Sequence, residues 1–476
     1  LLREHDTCLE RALEPARGCW ELWNSTCYKV PKTLVLVPGH VLTGIMWGKV
    51  FLGGSIVGAL VVYSQYVAAK KEKKELRNTW RPTQPGKFVE LLPAEGMPQF
   101  LVMPAPATLT FYKGSATEAK AALLRQVAKL VKVNPWLCGR LQRNGKNKMR
   151  LWVPEVPDFL ECFGEAEDAC VLPGASWQDM NSPLNPRFSV KRGGECLNQD
   201  EPLFRVVVIR LTADPNVEQF AVMVSMSHLL GDGHTYYTLY GSLNSGVQPT
   251  QLEVHRNFEA DKKGVEAVGI KKVFWMMGKW QFYGGLLNVL FRGVPRYRAY
   301  YLNMEWVEAE KRKITSGFVS SNDVLTSWFL GSGNYDAGAM VMNLRNRVVG
   351  LGDHQAGNYQ ILIHYWPEEC CTAQGVRQAL LNPPYYKAGR EDVPSKWNCL
   401  QGNWSLVSSW VSFYREVRLP GATQILHTPT APPKLPVLCR ECAFIFKPTP
   451  STTAICLTER NTKNRTQHPL LGERIF

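Results

Sequence analysis

The sequence lacks the marks of several protein classes. No low-complexity tract or clear internal repeat interrupts its 476 residues, which argues against repeat and fibrous architectures. The thirteen cysteines are odd in number and follow no repeating framework, so a disulfide-built fold is not expected and most are expected as buried free thiols. Cys439 and Cys442 have the Cys-x-x-Cys spacing without the second pair that a structural zinc site needs. Cys8, Cys19 and Cys27 are open to oxidation if their end of the chain faces an oxidising compartment. No groove-fitting nucleic-acid motif accompanies the net charge of +14. The opening stretch, without an initial Met and carrying Glu4, Asp6, Glu10, Glu14 and Glu21, does not resemble a signal or transit peptide; a leader already removed or a partial chain is the expectation.

What is present is the composition of a folded protein, 45% hydrophobic and 20% charged, at a length suited to two domains or one large pseudo-symmetric unit. From Val50 to Ala69 no residue carries a formal charge, and that length crosses a hydrocarbon core as a helix. With the apolar residues upstream, the expected transmembrane helix runs over 41–69, Lys49 snorkelling to an interface. Lys70, Lys71, Lys73, Lys74, Arg77, Arg81 and Lys87 follow it. The positive-inside rule then places the large C-terminal part on a cytosol-, stroma- or matrix-like side of an integral, single-pass membrane protein. Gly44 with Gly48, and Gly54 with Gly58, have the small-xxx-small spacing that lets helices of other membrane-protein subunits approach.

Beyond the basic flank, the linker TWRPTQPGK marks the start of the soluble part near residue 85. Ala121, Leu124, Ala128 and Val131 recur at helical spacing, and Asn134-Pro135 ends that helix. LFRVVVIRL and QFAVMVSMSH read as buried strands, AMVMNL and ILIHYW as two more, and VSSNDVLTSWFL as a helix capped by Ser320 or Ser321. The aromatic and basic stretch before residue 300 reads as a surface-packed crossover or as a membrane-contacting patch. The expected divisions are an extramembrane segment (1–40), the membrane helix (41–69), a basic linker (70–84), a first subdomain (85–245), the crossover (246–304) and a second subdomain (305–476).

HLLGDG, from His228 to Gly233, lies between a strand and a helix-like run. It resembles the HxxxDG motif of the thioester-dependent acyltransferase superfamily, which includes chloramphenicol acetyltransferase, BAHD enzymes, nonribosomal condensation domains and carnitine acyltransferases. NPWLCGRL, EPLFRVVV, VSSNDVLTSW, NLRNRV with GNY, and VSSW resemble further family segments and occur in the family's order. The resemblance implies an α/β fold in which two chloramphenicol acetyltransferase-like subdomains form a pseudo-dimer around a central channel, here preceded by a transmembrane helix. One departure is that RLPGATQ stands where BAHD enzymes carry DFGWG; Pro420 and Gly421 keep the turn, which fits a distant branch.

The chemistry explains the residue types. An alcohol or amine attacking a thioester must lose a proton, and a neutral imidazole is suited to take it, so His228 is the candidate general base. Asp232 is spaced to touch the imidazole as in a triad; the resemblance implies instead that it pairs with Arg345 or Arg347 and holds the loop in shape. Gly233 suits a tight turn where a side chain would block substrate or force a positive φ. An oxyanion donor, typically worth a few kcal/mol, is expected from Ser408 or Ser409. The resemblance implies that Asn358 shapes the opposite wall and that Trp410 lines the channel.

His228, Asp232 and His234 also form a possible metal-ligand set, but a strand-to-helix loop does not naturally converge three such side chains, and no metal is expected. A hydrolase using Ser227 with His228 fails because adjacent residues on a strand point to opposite faces. The expected function is a membrane-anchored acyltransferase that moves an acyl group from acyl-CoA, or another acyl thioester, to a hydroxyl or amine of an apolar acceptor. Acyl-CoA is its co-substrate, with no tightly bound cofactor and no nucleic-acid partner. The alternative is a non-catalytic subunit of a membrane protein complex that keeps the fold.

Overall fold

The structure is a computed structural model that describes residues 80–476 apart from 145–147, 169–172, 177–187, 212–217, 277, 294, 382, 386–391, 396–399, 431–438, 461–464 and 466. The expected segments 1–40 and 41–69, residues 70–79, the paired glycines and Cys8, Cys19 and Cys27 lie outside the described residues.

In the first half the strands are β1 (Gly86–Glu90), β2 (Ala107–Gly114), β3 (Arg140–Arg143), β4 (Met149–Pro154), β5 (Phe163–Asp168), β6 (Phe204–Leu211) and β7 (Gln219–Met226). In the second half they are β8 (Arg296–Leu302), β9 (Ala337–Asn343), β10 (Gln360–Tyr365), β11 (Trp404–Ser409), β12 (Ala422–Thr430), β13 (Glu441–Thr449), β14 (Thr452–Glu459) and β15 (Leu471–Arg474). They form a two-lobed α/β architecture. One lobe carries the five-stranded sheet β12-β2-β7-β6-β5 with the small sheet β1-β4-β3, and the other carries the seven-stranded sheet β10-β9-β11-β13-β14-β8-β15.

The lobes share strands in an informative way. β12 comes from the late chain, yet it pairs antiparallel with β2 and forms the edge of the first lobe's sheet. β13 then returns to the second sheet between β11 and β14. β8, from the crossover segment, pairs with β14.

The valine-rich run in β6 is apolar on both faces because both are covered. Val206 and Val208 pack with Leu123 and Val127 of the helix Ala116–Val133, whereas Val207 and Ile209 join a core that includes Phe446 and Cys456 from the other sheet. A sheet covered on both sides reads as a continuous hydrophobic run rather than an alternating one. The helix itself begins at the cap Ser115 and ends at Asn134. Its buried stripe is Ala119, Leu123, Val127, Leu130 and Val131; of the stripe expected from Ala121, Leu124, Ala128 and Val131, Val131 is buried, Leu124 and Ala128 are half-buried and Ala121 is exposed. Leu123 and Leu124 are adjacent, so the sequence satisfies helical spacing on two neighbouring faces, and Arg125 and Lys129 select which one meets solvent.

The expected integral, single-pass localisation is corrected. Among the described residues no helix is long and apolar enough to cross a membrane, and the described chain is an α/β body. Its long helix Ala116–Val133 carries Glu118, Lys120, Arg125, Lys129 and Lys132, a pattern for covering a sheet rather than meeting lipid.

Candidate active site

The loop that carries His228 is built by the end of one strand and the start of one helix. β7 ends at Met226; Ser227 accepts through its carbonyl from Leu230 N, closing a turn that leaves His228 at its tip. Asp232 then caps the helix Gly233–Gly241, its Oδ1 accepting from Thr235 N at 3.0 Å. A short Asx-type cap after an apolar strand is what the sequence Gly-Asp-Gly favours.

Asp232 and Arg345 form a buried ion pair, with Oδ2 at 2.7 Å from a guanidinium nitrogen. The same oxygen accepts from Tyr359 N at 3.0 Å. Arg345 also donates to Thr235 Oγ1, Asn343 Oδ1 and the carbonyls of Gln355 and Gly357. Arg347 is placed elsewhere and reaches the carbonyl of Leu380 at 3.4 Å. Burial alone would push the Asp232 carboxyl up, but Arg345 and the Thr235 amide hold it below the ordinary carboxylate range.

His228 is part-exposed and meets no carboxylate directly. Its Nδ1 lies 2.9 Å from Asn358 Oδ1, and Phe100 stands edge-on to the ring at 5.2 Å. Among the described residues no group bonds Nε2. Burial lowers the imidazole pKa below its ordinary value, partly opposed by its own backbone carbonyl, the Asp232 charge and Asn358.

Gly357, Asn358 and Tyr359, just before β10, bind the motif loop residue by residue. Gly357 O accepts from Asp232 N at 3.3 Å, Asn358 takes His228, and Tyr359 N takes Asp232. Gly357 has φ of 137°, and a Cβ there would come within 3.0 Å of Arg256 Nε and the Tyr359 ring, so only glycine serves.

Gly233 is the first residue of its helix and does not have a positive φ. A Cβ there would sit at ordinary contact distance from Phe413, 3.8 Å, and Trp410, 4.0 Å. The expectation that backbone conformation demands this glycine is therefore corrected: what its missing side chain keeps open is space beside two aromatic rings.

Trp410 also meets Tyr237 at 5.9 Å between ring centres and donates from Nε1 to Ser408 Oγ at 3.1 Å. Ser408 and Ser409 are consecutive on β11 and so project to opposite faces. Ser408 is the one tied to Trp410. Among the described residues neither serine bonds His228.

The side chains considered as metal ligands are committed to three separate partners: His228 to Asn358, Asp232 to Arg345, and His234 Nε2 to Asp353 at 3.2 Å. Among the described residues no group of three or more His, Cys, Asp or Glu is placed to hold a metal.

Two features of the site escaped the sequence reading. Glu95, in the short turn Ala94–Gly96, accepts from Asn358 N and Nδ2, from Leu92 N and from Arg256 Nε, and it forms with Arg256 an ion pair at 3.1 Å that is fully buried. A lone glutamate between Ala94 and Gly96 carries no motif signal, and it lies far along the chain from every partner but Leu92. His427 on β12 is buried behind the helix Gly233–Gly241, with Nδ1 at 2.9 Å from Thr110 Oγ1 and Nε2 at 3.0 Å from Tyr237 OH. Burial pushes its pKa down to about 3, so it is a neutral packing residue of the first lobe.

No family model and no curated protein matches the chain. Solved structures match its fold. F. graminearum TRI101, complexed with coenzyme A and T-2 mycotoxin, aligns with a TM-score of 0.54 at 11% identity over 79% of this chain and 95% of that one. Vinorine synthase gives 0.53 at 11% identity over 83% and 95%. The first condensation domain of the calcium-dependent antibiotic synthetase, bound to a substrate analogue, gives 0.51 at 10% identity over 78% and 91%. At these identities the likeness shows the fold, a two-lobed α/β architecture of the BAHD and chloramphenicol acetyltransferase type.

Proposed function

We propose that this protein is an acyltransferase that moves an acyl group from coenzyme A, or another acyl thioester, to a hydroxyl or amine, with His228 as general base. The observation that carries the reading is a part-exposed imidazole at the tip of a strand-to-helix turn, held through Nδ1 with Nε2 left unbonded, on a loop fixed by the Asp232–Arg345 pair. Such a nitrogen is placed to receive a proton, and burial keeps it neutral at cellular pH. Coenzyme A in the TRI101 complex supports the thioester donor.

Nε2 takes the proton from the acceptor O–H or N–H as the heteroatom attacks the thioester carbonyl. The tetrahedral intermediate collapses with cleavage of the C–S bond, and the imidazolium returns the proton to the leaving thiolate. Ser408, whose oxygen accepts from Trp410, has its O–H proton to offer the oxyanion. Phe100 beside His228, and Phe413 with Trp410 beside Gly233, supply aromatic surface suited to an apolar acceptor.

The test is thioester consumption by purified protein with acetyl- and longer acyl-CoA and a pool of apolar alcohols and amines. Transfer by the wild type and its loss, by roughly 100-fold or more, in His228→Ala supports the reading. No turnover by a folded wild type across that pool overturns it in favour of a non-catalytic protein that keeps the fold.

A further inference from the structure

The amide of Asn358 has only one workable orientation. Its Nδ2 faces two atoms that can only accept, Glu95 Oε1 at 3.0 Å and the His228 carbonyl at 2.6 Å. Both of its hydrogens are therefore used there, and Oδ1 is the atom turned to His228 Nδ1. An amide oxygen accepts, so Nδ1 must carry the proton. A neutral imidazole holds only one ring proton, which leaves Nε2 with its lone pair free.

Glu95 is what makes that orientation hold. Its Oε1 receives both the Asn358 backbone N–H and Nδ2, and its Oε2 receives Leu92 N at 2.8 Å and Arg256 Nε at 3.1 Å. All four contacts are donors, the pattern an ionised carboxylate satisfies. Arg256 is fixed in turn by the carbonyls of Val254, Ala356, Leu229 and Leu230, two of them in the loop that follows His228.

We infer that Glu95 is a positioning residue for His228: acting through Asn358, it locks the imidazole in the Nδ1–H tautomer and makes Nε2 the single basic nitrogen of the site. Asp232 has no part in this lock, since its oxygens are taken by Arg345, Tyr359 and Thr235. The inference rests on the acyl-transfer reading only for its kinetic consequence; the tautomer itself is a property of the resting protein.

The experiment is a long-range proton–nitrogen correlation spectrum of the full chain labelled with 15N-histidine at pH 7.5, with His228→Ala identifying the His228 signals. Wild type is expected to show Nδ1 as the protonated nitrogen. In Glu95→Gln the Nε2–H form should appear, and kcat should fall about 10–100-fold, the usual cost of losing an orienting partner, while KM stays within about twofold. Asn358→Leu, which leaves the Glu95–Arg256 pair intact, should show the same change and carries the test if Glu95→Gln does not fold. An Nε2–H signal in wild type, or an unmoved Nδ1–H signal in the folded variants, overturns the inference. A wild type that turns over no thioester but holds His228 as Nδ1–H overturns the acyl-transfer reading and leaves the lock standing.

Discussion

Asp232–Arg345 and Glu95–Arg256 are both buried ion pairs, at 2.7 and 3.1 Å, and both brace the loop from His228 to Asp232. They reach different ends of it. Arg345 holds the carboxylate that caps the following helix, whereas Glu95 holds the amide that meets the His228 ring. Between them runs the segment 355–357, whose successive carbonyls alternate: Gln355 and Gly357 accept from Arg345, and Ala356 accepts from Arg256. One stretch of backbone is thus clamped from two sides. Buried pairs are a poor source of net stability, because desolvation offsets their attraction. What they supply here is geometry, fixed by neutral carbonyls that use up the remaining guanidinium donors.

The largest expected effect comes from breaking either clamp. Arg345→Met and Arg256→Met each strand a buried carboxylate, so each should lower the unfolding free energy by about 3–5 kcal/mol, read from urea melts at neutral pH. Asp232→Leu combined with Arg345→Met should cost less than the sum of the single changes, since no charge is then left without its partner. A double variant as unstable as the sum would mean that the two side chains act independently, and the first clamp would not be a clamp.

Acid should separate the ion pairs from the buried histidines. His427 is pushed down to about 3 by burial, and His364 to about 3 by burial and the Lys272 charge. A depressed histidine is neutral when folded and protonates first when unfolded, so its stabilising contribution is complete above the ordinary value near 6.5 and is lost as pH falls from there toward 3. Each should cost about 1.4 kcal/mol per pH unit within that window. Asp232 is held below its ordinary 3.8, so its contribution declines only below that value. Urea midpoints should hold from pH 7.5 to about 6.5 and then fall steadily to pH 4.5 while the Asp232–Arg345 pair is still ionised. A flat profile would remove the histidines as the acid-sensitive element.

Activity should be more tolerant of acid than an ordinary histidine base allows. The His228 pKa is lowered by burial, and a general base works only when neutral, so the acid limb of kcat/KM should centre below 6.5 and fall tenfold per unit beneath its midpoint. An acid limb centred above 6.5 would place a closer negative charge against the imidazole than Asn358 allows.

The difference between the clamps also explains how much was legible in the sequence. His228, Asp232 and Gly233 are contiguous with a strand and a helix, so the local pattern singles them out as candidates. Arg345 and Asn358 came into view only through resemblance, with Arg347 as an equal candidate for the ion pair; two residues further along a loop, it turns toward Leu380. Glu95 and Arg256 had no signal. Their partners are mostly backbone atoms, which any residue supplies, so sequence leaves no trace of the match. β12 is a similar case: it carries no strand expectation from sequence, and only tertiary pairing with β2 assigns it to the first lobe's sheet. The helix Ala116–Val133 is legible as a helix, but its most buried face lies a residue away from the expected one except at Val131, because adjacent leucines fit both faces.

The smallest expected effect tests what Gly233 is for. Its φ is not positive, and the space its side chain would fill is bounded by Phe413 at 3.8 Å and Trp410 at 4.0 Å, neither of them a clash. Gly233→Ala should therefore raise stability slightly, by about 0.4–1 kcal/mol, through the lower entropy of the unfolded chain. If that space is where the acceptor or acyl chain runs, the added methyl should raise KM severalfold for a bulky acceptor and leave KM for a small one unchanged, with the urea midpoint at or above that of wild type. Loss of stability would instead return the glycine to a conformational role, and an unchanged KM for every acceptor would move the channel away from Trp410.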